Sequence, residues 1–254
     1  MPSDKQPVSG YRKEFDDDVR AERYDDQQYA TSSWSSLLWE HEQEVLEGLL
    51  SDPDFLPVRR RYVDFACGTG RVIEVLATRF DDVEGVDISE AMLRRARRRL
   101  PGVRFVAGDV MRCPELVGAN VDLVTMFRFL LNAEPADRLG ALSWARGLLR
   151  DDASRIIVNN HGNLWTHKAI PYAVRRVRHS GGSVTGNVLS HRQVVSLVNA
   201  AGLKVERVIG LGYLGGHAQQ LLGRNRMSRL QRRLSGVRWV QRLGEDQIYV
   251  LSLG

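Results

Sequence analysis

The sequence predicts an α/β fold: a doubly wound, mostly parallel seven-stranded sheet with helices on both faces, preceded by a helical cap. Three observations predict it. From residue 61 to 160, short apolar runs alternate with segments of helical period, the pattern of successive crossover units. The first such run ends in the turn Ala66-Cys67-Gly68-Thr69-Gly70, and glycines between a strand and a helix let backbone approach a ligand closely. The chain has 254 residues, 43% of them hydrophobic, enough to bury a core without disulfide or metal staples.

The elements follow in order. Residues 1–20 are polar. From Ser33 to Leu50 the residues Trp34, Leu37, Leu38, Val45, Leu49 and Leu50 fall near helical spacing, and Asp52-Pro53 ends the helix. Arg61–Phe65, Val83–Ile88, Val103–Ala107, Val121–Phe127 and Arg155–Asn160 read as strands. Arg71–Phe80, Glu90–Leu100 and Ala136–Leu149 read as the helices between them, with Ser89 as an N-cap and Pro101-Gly102 as a stop. Residues 161–189 are irregular. His191–Ala201 reads as a helix capped by Ser190 and stopped by Gly202; Val205–Leu211 and Gln247–Leu253 close the sheet. We therefore expect an acidic segment and helical lid over 1–55, and one large domain over 56–254 with a basic helical insertion at about 220–242.

Composition narrows the classes. No apolar run approaches the roughly 20 residues that cross a bilayer, and Met1–Gln6 lacks the apolar core of a signal peptide. Two cysteines, Cys67 and Cys113, make no disulfide framework, so a reducing cytoplasm is the expected location. Net charge is +5, with acids concentrated from Tyr11 to Asp26 and arginines from Gln220 onward. The arginine-rich segment admits three readings: a solvated helix face, a site for an anionic acceptor such as a nucleotide sugar or lipid-linked glycan, or docking on an anionic membrane or RNA. The apolar residues Leu221, Leu222, Leu230, Leu234, Val237, Trp239 and Val240 interleave with those arginines, as in an amphipathic surface helix.

The glycine turn carries the chemistry. A phosphate loop needs Gly, four residues, then Gly-Lys-Ser/Thr, and no such string occurs. A dinucleotide fingerprint counted from Gly68 and Gly70 needs glycine at 73, where Ile73 stands. The stretch Asp64–Gly70 instead resembles motif I of the class I S-adenosylmethionine-dependent methyltransferases, with Ala66 where that motif has its first glycine. Gly85–Leu93, Gly108-Asp109-Val110 and Asp122–Phe127 resemble the ends of strands two, three and four of the same family, in order. Ala200-Ala201-Gly202-Leu203 is a weaker likeness.

The resemblance implies a Rossmann-like fold with S-adenosylmethionine as cofactor. Asp87, 17 positions after Gly70, would accept both ribose hydroxyls. Asp109 would accept from the adenine amine, Val110 would meet the ring edge, and Ile88 and Phe127 would sandwich the purine. Met92 lies in the same motif. Asp64 would help hold the ammonium end through water and the amides of the loop that contains Ala66, Gly68 and Gly70. Tyr24, Tyr29 and Trp34 resemble an aromatic lid over the sulfonium; ordinary helix packing is the alternative. Cys67 reads as packing.

A base near the methyl group would follow strand four or five. His161 is the expected catalytic base, being able to take a proton near neutral pH, with Arg128, Asn132 and Asn160 toward the acceptor. No Asp/Asn-Pro-Pro-aromatic string follows strand four, which disfavours methylation of nucleic-acid amines. His41-Glu42-Gln43-Glu44-Val45 lacks the second histidine of a metal signature, so no metal is expected. The expected acceptor is a small molecule or glycan, methylated at a hydroxyl oxygen. An amine acceptor, and an RNA-binding role for the basic segment, stay open.

Overall fold

Successive residues of a strand point to opposite faces of its sheet, and here both faces are buried. The computed structural model describes residues 33–163 and 188–254 apart from Gly236 and Arg238. Val63, Val124, Ile156 and Val158 face one core, packed by Ala141, Leu142 and Ala145 of one helix and Val194 and Val198 of another. Their neighbours Tyr62, Leu123 and Ile157 face a second core, with Leu46, Leu49, Val72, Ile73 and Leu93 from three other helices. A sheet covered on both sides needs the near-continuous apolar strands seen in the sequence.

The strands are β1 (Arg61–Phe65), β2 (Asp82–Asp87), β3 (Arg104–Ala107), β4 (Leu123–Met126), β5 (Arg155–Asn160), β6 (Leu203–Leu211) and β7 (Asp246–Leu253). Their order in space is β3-β2-β1-β4-β5-β7-β6. β1 to β5 run parallel; β7 is antiparallel to both its neighbours. The helices are α1 (Trp34–Ser51), α2 (Arg71–Leu76), α3 (Glu90–Arg99), α4 (Pro135–Leu148), α5 (His191–Ala200), α6 (Gly215–Leu222) and α7 (Arg224–Ser235). Both features of the expected fold class, the seven-stranded mostly parallel sheet and the helices on its two faces, are present.

Most expected boundaries hold within a residue or two, and the caps explain why. Ser33 accepts from Ser36 N–H, Ser89 from Met92 N–H, and Ser190 forms a full capping box with Gln193. Three differences have local causes. The helix expected over Arg71–Phe80 tightens into a 3-10 turn at Ala77–Arg79, the usual way a helix end satisfies its last carbonyls. β4 is shorter than Val121–Phe127 because Val121 pairs instead with Leu149. The basic insertion is two helices rather than one, parted at Gly223 with φ +77°.

Polar contacts fix the helical cap and the insertion to the sheet. The buried Glu42 of α1 is gripped by Arg128 Nη2 at 2.9 and 3.1 Å, and Arg128 also reaches Asp246 of β7 at 3.6 Å. Asn159 Nδ2 donates to Glu42 at 3.1 Å. From the insertion, Gln231 donates to Gly210 O at 2.9 Å and accepts from Gly212 N–H at 3.0 Å, while Gln241 accepts from Gly210 N–H at 2.7 Å. Arg224 and Arg232 pair with Glu40 and Glu44 of α1.

At the opposite rim Asp122 ties β1 to β4. Its carboxylate accepts the N–H groups of Arg60 at 2.7 Å and Arg61 at 2.8 Å, and Arg150 Nε at 2.5 Å. Burial raises its pKa, but Arg150 and those two N–H groups outweigh burial and hold it below the usual range. A carboxyl with a lowered folded pKa stabilises above its unfolded pKa and loses that contribution as pH falls through the folded value. Asp122→Asn should therefore lower stability by about 1–3 kcal/mol at neutral pH. The gap from wild type should close below about pH 4, as measured by denaturant unfolding across pH.

Candidate active site

Where β1 and β2 end side by side, the chain turns sharply. Ala66, Gly68 and Gly70 all have positive φ, +54°, +53° and +79°. Glycine takes this conformation freely; at Ala66 the turn holds a strained L-residue instead. A side chain at Gly70 would also meet Leu100 at 3.3 Å and Ala96 at 3.4 Å, so the glycine lets α3 pack against the turn. Cys67 N–H donates to Val86 O at 3.0 Å, which locks the turn to the end of β2. Burial pushes the Cys67 thiol well up, with the Asp87 and Asp64 charges adding to it; this is a packing residue, not a thiolate nucleophile.

That lock places Asp87. Gly68 N–H donates to its Oδ2 at 2.8 Å and Ser89 N–H to its Oδ1 at 2.8 Å. Burial raises its pKa, while N–H bonds from Ser89, Gly68 and Ile88 pull the other way. A carboxylate has about four lone-pair sites, so acceptor capacity remains beyond these N–H groups. One strand over, Asp109 accepts Met111 N–H at 3.3 Å and pairs with Arg112 at 3.4 Å.

These groups line one cleft of about 1010 Å³, part of it open to solvent. Of the residues expected at the site, Ala66, Gly68, Asp87, Ile88, Met92, Asp109, Val110, Phe127, Arg128 and Asn132 all line it. Ile88 is 47% exposed, an apolar side chain left in water at the cleft. The lining is mainly apolar with a few convergent carboxylates, the usual make-up of a small-molecule site.

Other expected residues lie outside the cleft lining or are held by other partners. Asp64 does not line the cleft. Its Oδ1 accepts from Thr125 Oγ1 at 2.5 Å, and Thr125 is joined to Tyr62 OH at 2.7 Å; no loop amide reaches the buried Oδ2, which has no hydrogen-bond partner. Burial pushes the carboxyl up to about 7 against the pull of Thr125, with the Asp87 charge adding to the rise. Asn160 is fully buried, and its Nδ2 donates to Leu189 O at 2.9 Å; it is not among the cleft-lining residues. His161 also lies outside the cleft lining. Trp34 donates to Glu245 at 3.2 Å and packs on Gly212, so it secures α1 to the β6–β7 end and does not cover the cleft. Tyr24 and Tyr29 fall outside the described residues. Arg128 lines the cleft, but its guanidinium is engaged by Glu42 and Asp246. Among the described residues no group of histidine, cysteine, aspartate and glutamate is arranged to hold a metal ion.

Eight lining residues were not expected at the site from sequence, among them Met111, Phe129, Glu134 and Asp137. A Glu-Pro start to α4 is a visible helix-entry signal, and it puts both carboxylates at the cleft edge. Glu42 was missed as well. Its signal was its place on the apolar stripe of α1, four residues after Leu38 and four before Leu46.

Comparison with known proteins agrees with this geometry. Residues 63–152 match the family model of a methyltransferase domain. Over 74 residues the chain is 43% identical to the trans-aconitate 2-methyltransferase of Acidovorax sp. (strain JS42), covering 26% of this chain and 29% of that protein. Over 136 residues it is 36% identical to the demethylmenaquinone methyltransferase of Beutenbergia cavernae, covering 54% and 51%. The chain thus spans about half or less of these curated relatives. Among solved structures, the magnesium protoporphyrin IX methyltransferase of Synechocystis PCC 6803 with bound SAH superposes with a TM-score of 0.61 at 13% identity, covering 96% of this chain and 98% of that one. Residues 63–152 therefore resemble a methyltransferase domain, and the fold is the one seen in S-adenosylmethionine-dependent methyltransferases.

Proposed function

We propose that the protein transfers a methyl group from S-adenosylmethionine to a small-molecule or glycan acceptor, at a hydroxyl oxygen. One observation carries the reading: the Asp87 carboxylate is held by two backbone N–H groups with acceptor capacity to spare, at the edge of an apolar cleft. Asp87 then takes the ribose hydroxyls and Asp109 the adenine amine. Ile88, Met92, Val110 and Phe127 enclose the ring. The orphaned Oδ2 of Asp64 suits the ammonium end, reached through the turn or a bridging water. The cofactor supplies an electrophilic methyl group. The chain's task is to hold an acceptor in line with it and to keep water out.

The two named relatives act on different acceptors, so likeness to them supports the methyl-donor half of the reading more than any one substrate. An anionic or lipid-linked acceptor is compatible with the basic insertion, which leaves the sheet at the rim on which the cleft lies. Transfer to an amine is a second reading, consistent with a cleft lining that lacks His161, since a neutral amine needs no base. For a hydroxyl acceptor the candidate proton acceptors are Glu134 and Asp137, which line the cleft.

Incubation with methyl-labelled S-adenosylmethionine and fractionated cell extract tests the acceptor class. Label should enter small-molecule or glycan fractions; label confined to RNA or protein would contradict the proposal. Combined Glu134→Gln and Asp137→Asn should cut turnover on a hydroxyl acceptor roughly a hundredfold, with His161→Ala unchanged; full activity in the double variant would point to an amine.

Asp87→Ala should weaken cofactor binding by about 1–3 kcal/mol, roughly five- to hundredfold in Kd, read by calorimetry. Unchanged affinity would remove Asp87 from the ribose.

Asp64 gives a pH signature. In the folded protein its carboxyl stays neutral up to about pH 7, whereas in the unfolded chain it ionises from about pH 4. The ligand-free protein should lose stability between those values as pH rises, because the folded state holds the proton longer. A bound ammonium favours the ionised form, so cofactor affinity should rise with pH up to about 7 and then level off. Asp64→Asn should flatten both profiles; a wild-type affinity without pH dependence would exclude the ammonium contact.

A further inference from the structure

The insertion between β6 and β7 carries most of the large apolar side chains that the described residues expose. Eight large apolar side chains are exposed among them, and five, Leu214, Leu221, Leu222, Trp239 and Leu243, fall between residues 214 and 243. Leu221 is 86% exposed and Trp239 70%. Single exposed leucines are ordinary; a concentration of them with a tryptophan in one short segment marks an interaction surface.

The charge pattern says what kind. Met227 and Gln231 form the buried side of α7. On its outer face Arg226, Arg229 and Arg233 are all exposed, spaced i, i+3 and i+7, and so aligned. Arg224 and Arg232 are committed to Glu40 and Glu44 of α1. No acidic side chain among the described residues forms an ion pair with the other three. Three cations therefore run along a helix about 18 Å long, with Leu221 and Leu222 before its start and Trp239 just past its end.

We propose that α7, with Leu221, Leu222 and Trp239, is a docking surface for an anionic phospholipid membrane. The arginines meet lipid phosphates, and the leucines and tryptophan enter the boundary between headgroups and acyl chains. RNA would account for the arginines and for stacking on Trp239, but it leaves the aliphatic Leu221 and Leu222 without a role. The insertion starts from the C-terminal end of β6, which runs parallel to β5, and returns into β7 where Gln247 pairs with Asn160. It therefore stands on the sheet rim that carries the cleft, and docking sets that rim toward the lipid. The proposal does not depend on the identity of the transferred group.

Flotation of the full chain with vesicles tests it. Vesicles of equal parts phosphatidylcholine and phosphatidylglycerol should carry the protein, and phosphatidylcholine alone should not. Combined Arg226→Ala, Arg229→Ala and Arg233→Ala should weaken binding roughly a hundredfold, about fivefold per arginine. Tryptophan emission should shift to the blue on the mixed vesicles, and Trp239→Phe should remove that shift. All four positions are exposed, and unchanged melting curves confirm that the variants fold. Absence of vesicle binding, equal binding to both vesicle types, or binding indifferent to these substitutions would overturn the proposal. So would RNA retention by the three arginines without vesicle binding.

Discussion

Two backbone N–H groups, from Gly68 and Ser89, hold the Asp87 carboxylate where β1 and β2 end together, and the site is arranged around that clamp. It exists only because the turn after β1 takes positive φ at three positions and is stitched to β2 by Cys67 N–H. Parallel pairing of β1 with β2 and β4 sets the ends of these strands on one rim. Open α/β sheets bind ligands at that rim because the backbone there turns toward helix N-termini and leaves donors facing outward.

A second set of constraints lies beyond β4. Glu42, Arg128, Asn159 and Asp246 join α1, the loop after β4, β5 and β7 through one buried cluster of charges and amides. Removing a single partner from such a cluster leaves a buried charge unpaired, which costs more than the pair contributes. Arg128 has φ +57°, and its N–H donates to Asn159 Oδ1 at 2.6 Å. The strain at this residue is held by the cluster, and the arginine's cleft-facing position comes with it.

The fold was largely legible because its signals are local. Apolar strands, serine caps, and the Pro and Gly stops around α3 each act within a few residues, and each fell close to its expected place. Asp87, Asp109 and Ile88 were legible for a related reason: in a parallel sheet the residue that ends a strand is at the ligand rim whatever happens elsewhere. His161 and Asn160 also end a strand, yet they miss the cleft. Tertiary packing at the rim decides that, and nothing near residue 160 encodes it. Trp34 read equally well as a lid or as packing; only its long-range partner Glu245 separates the two. The buried Oδ2 of Asp64 is likewise a property of what surrounds β1, not of the motif that contains it.

The most direct measurement is a crystal structure of the protein with S-adenosylhomocysteine. The account predicts both ribose hydroxyls within hydrogen-bond distance of Asp87, the adenine amine on Asp109, and Ile88 covered by the ring. A ligand bound elsewhere, or a cleft that stays closed to it at saturating concentration, would contradict it.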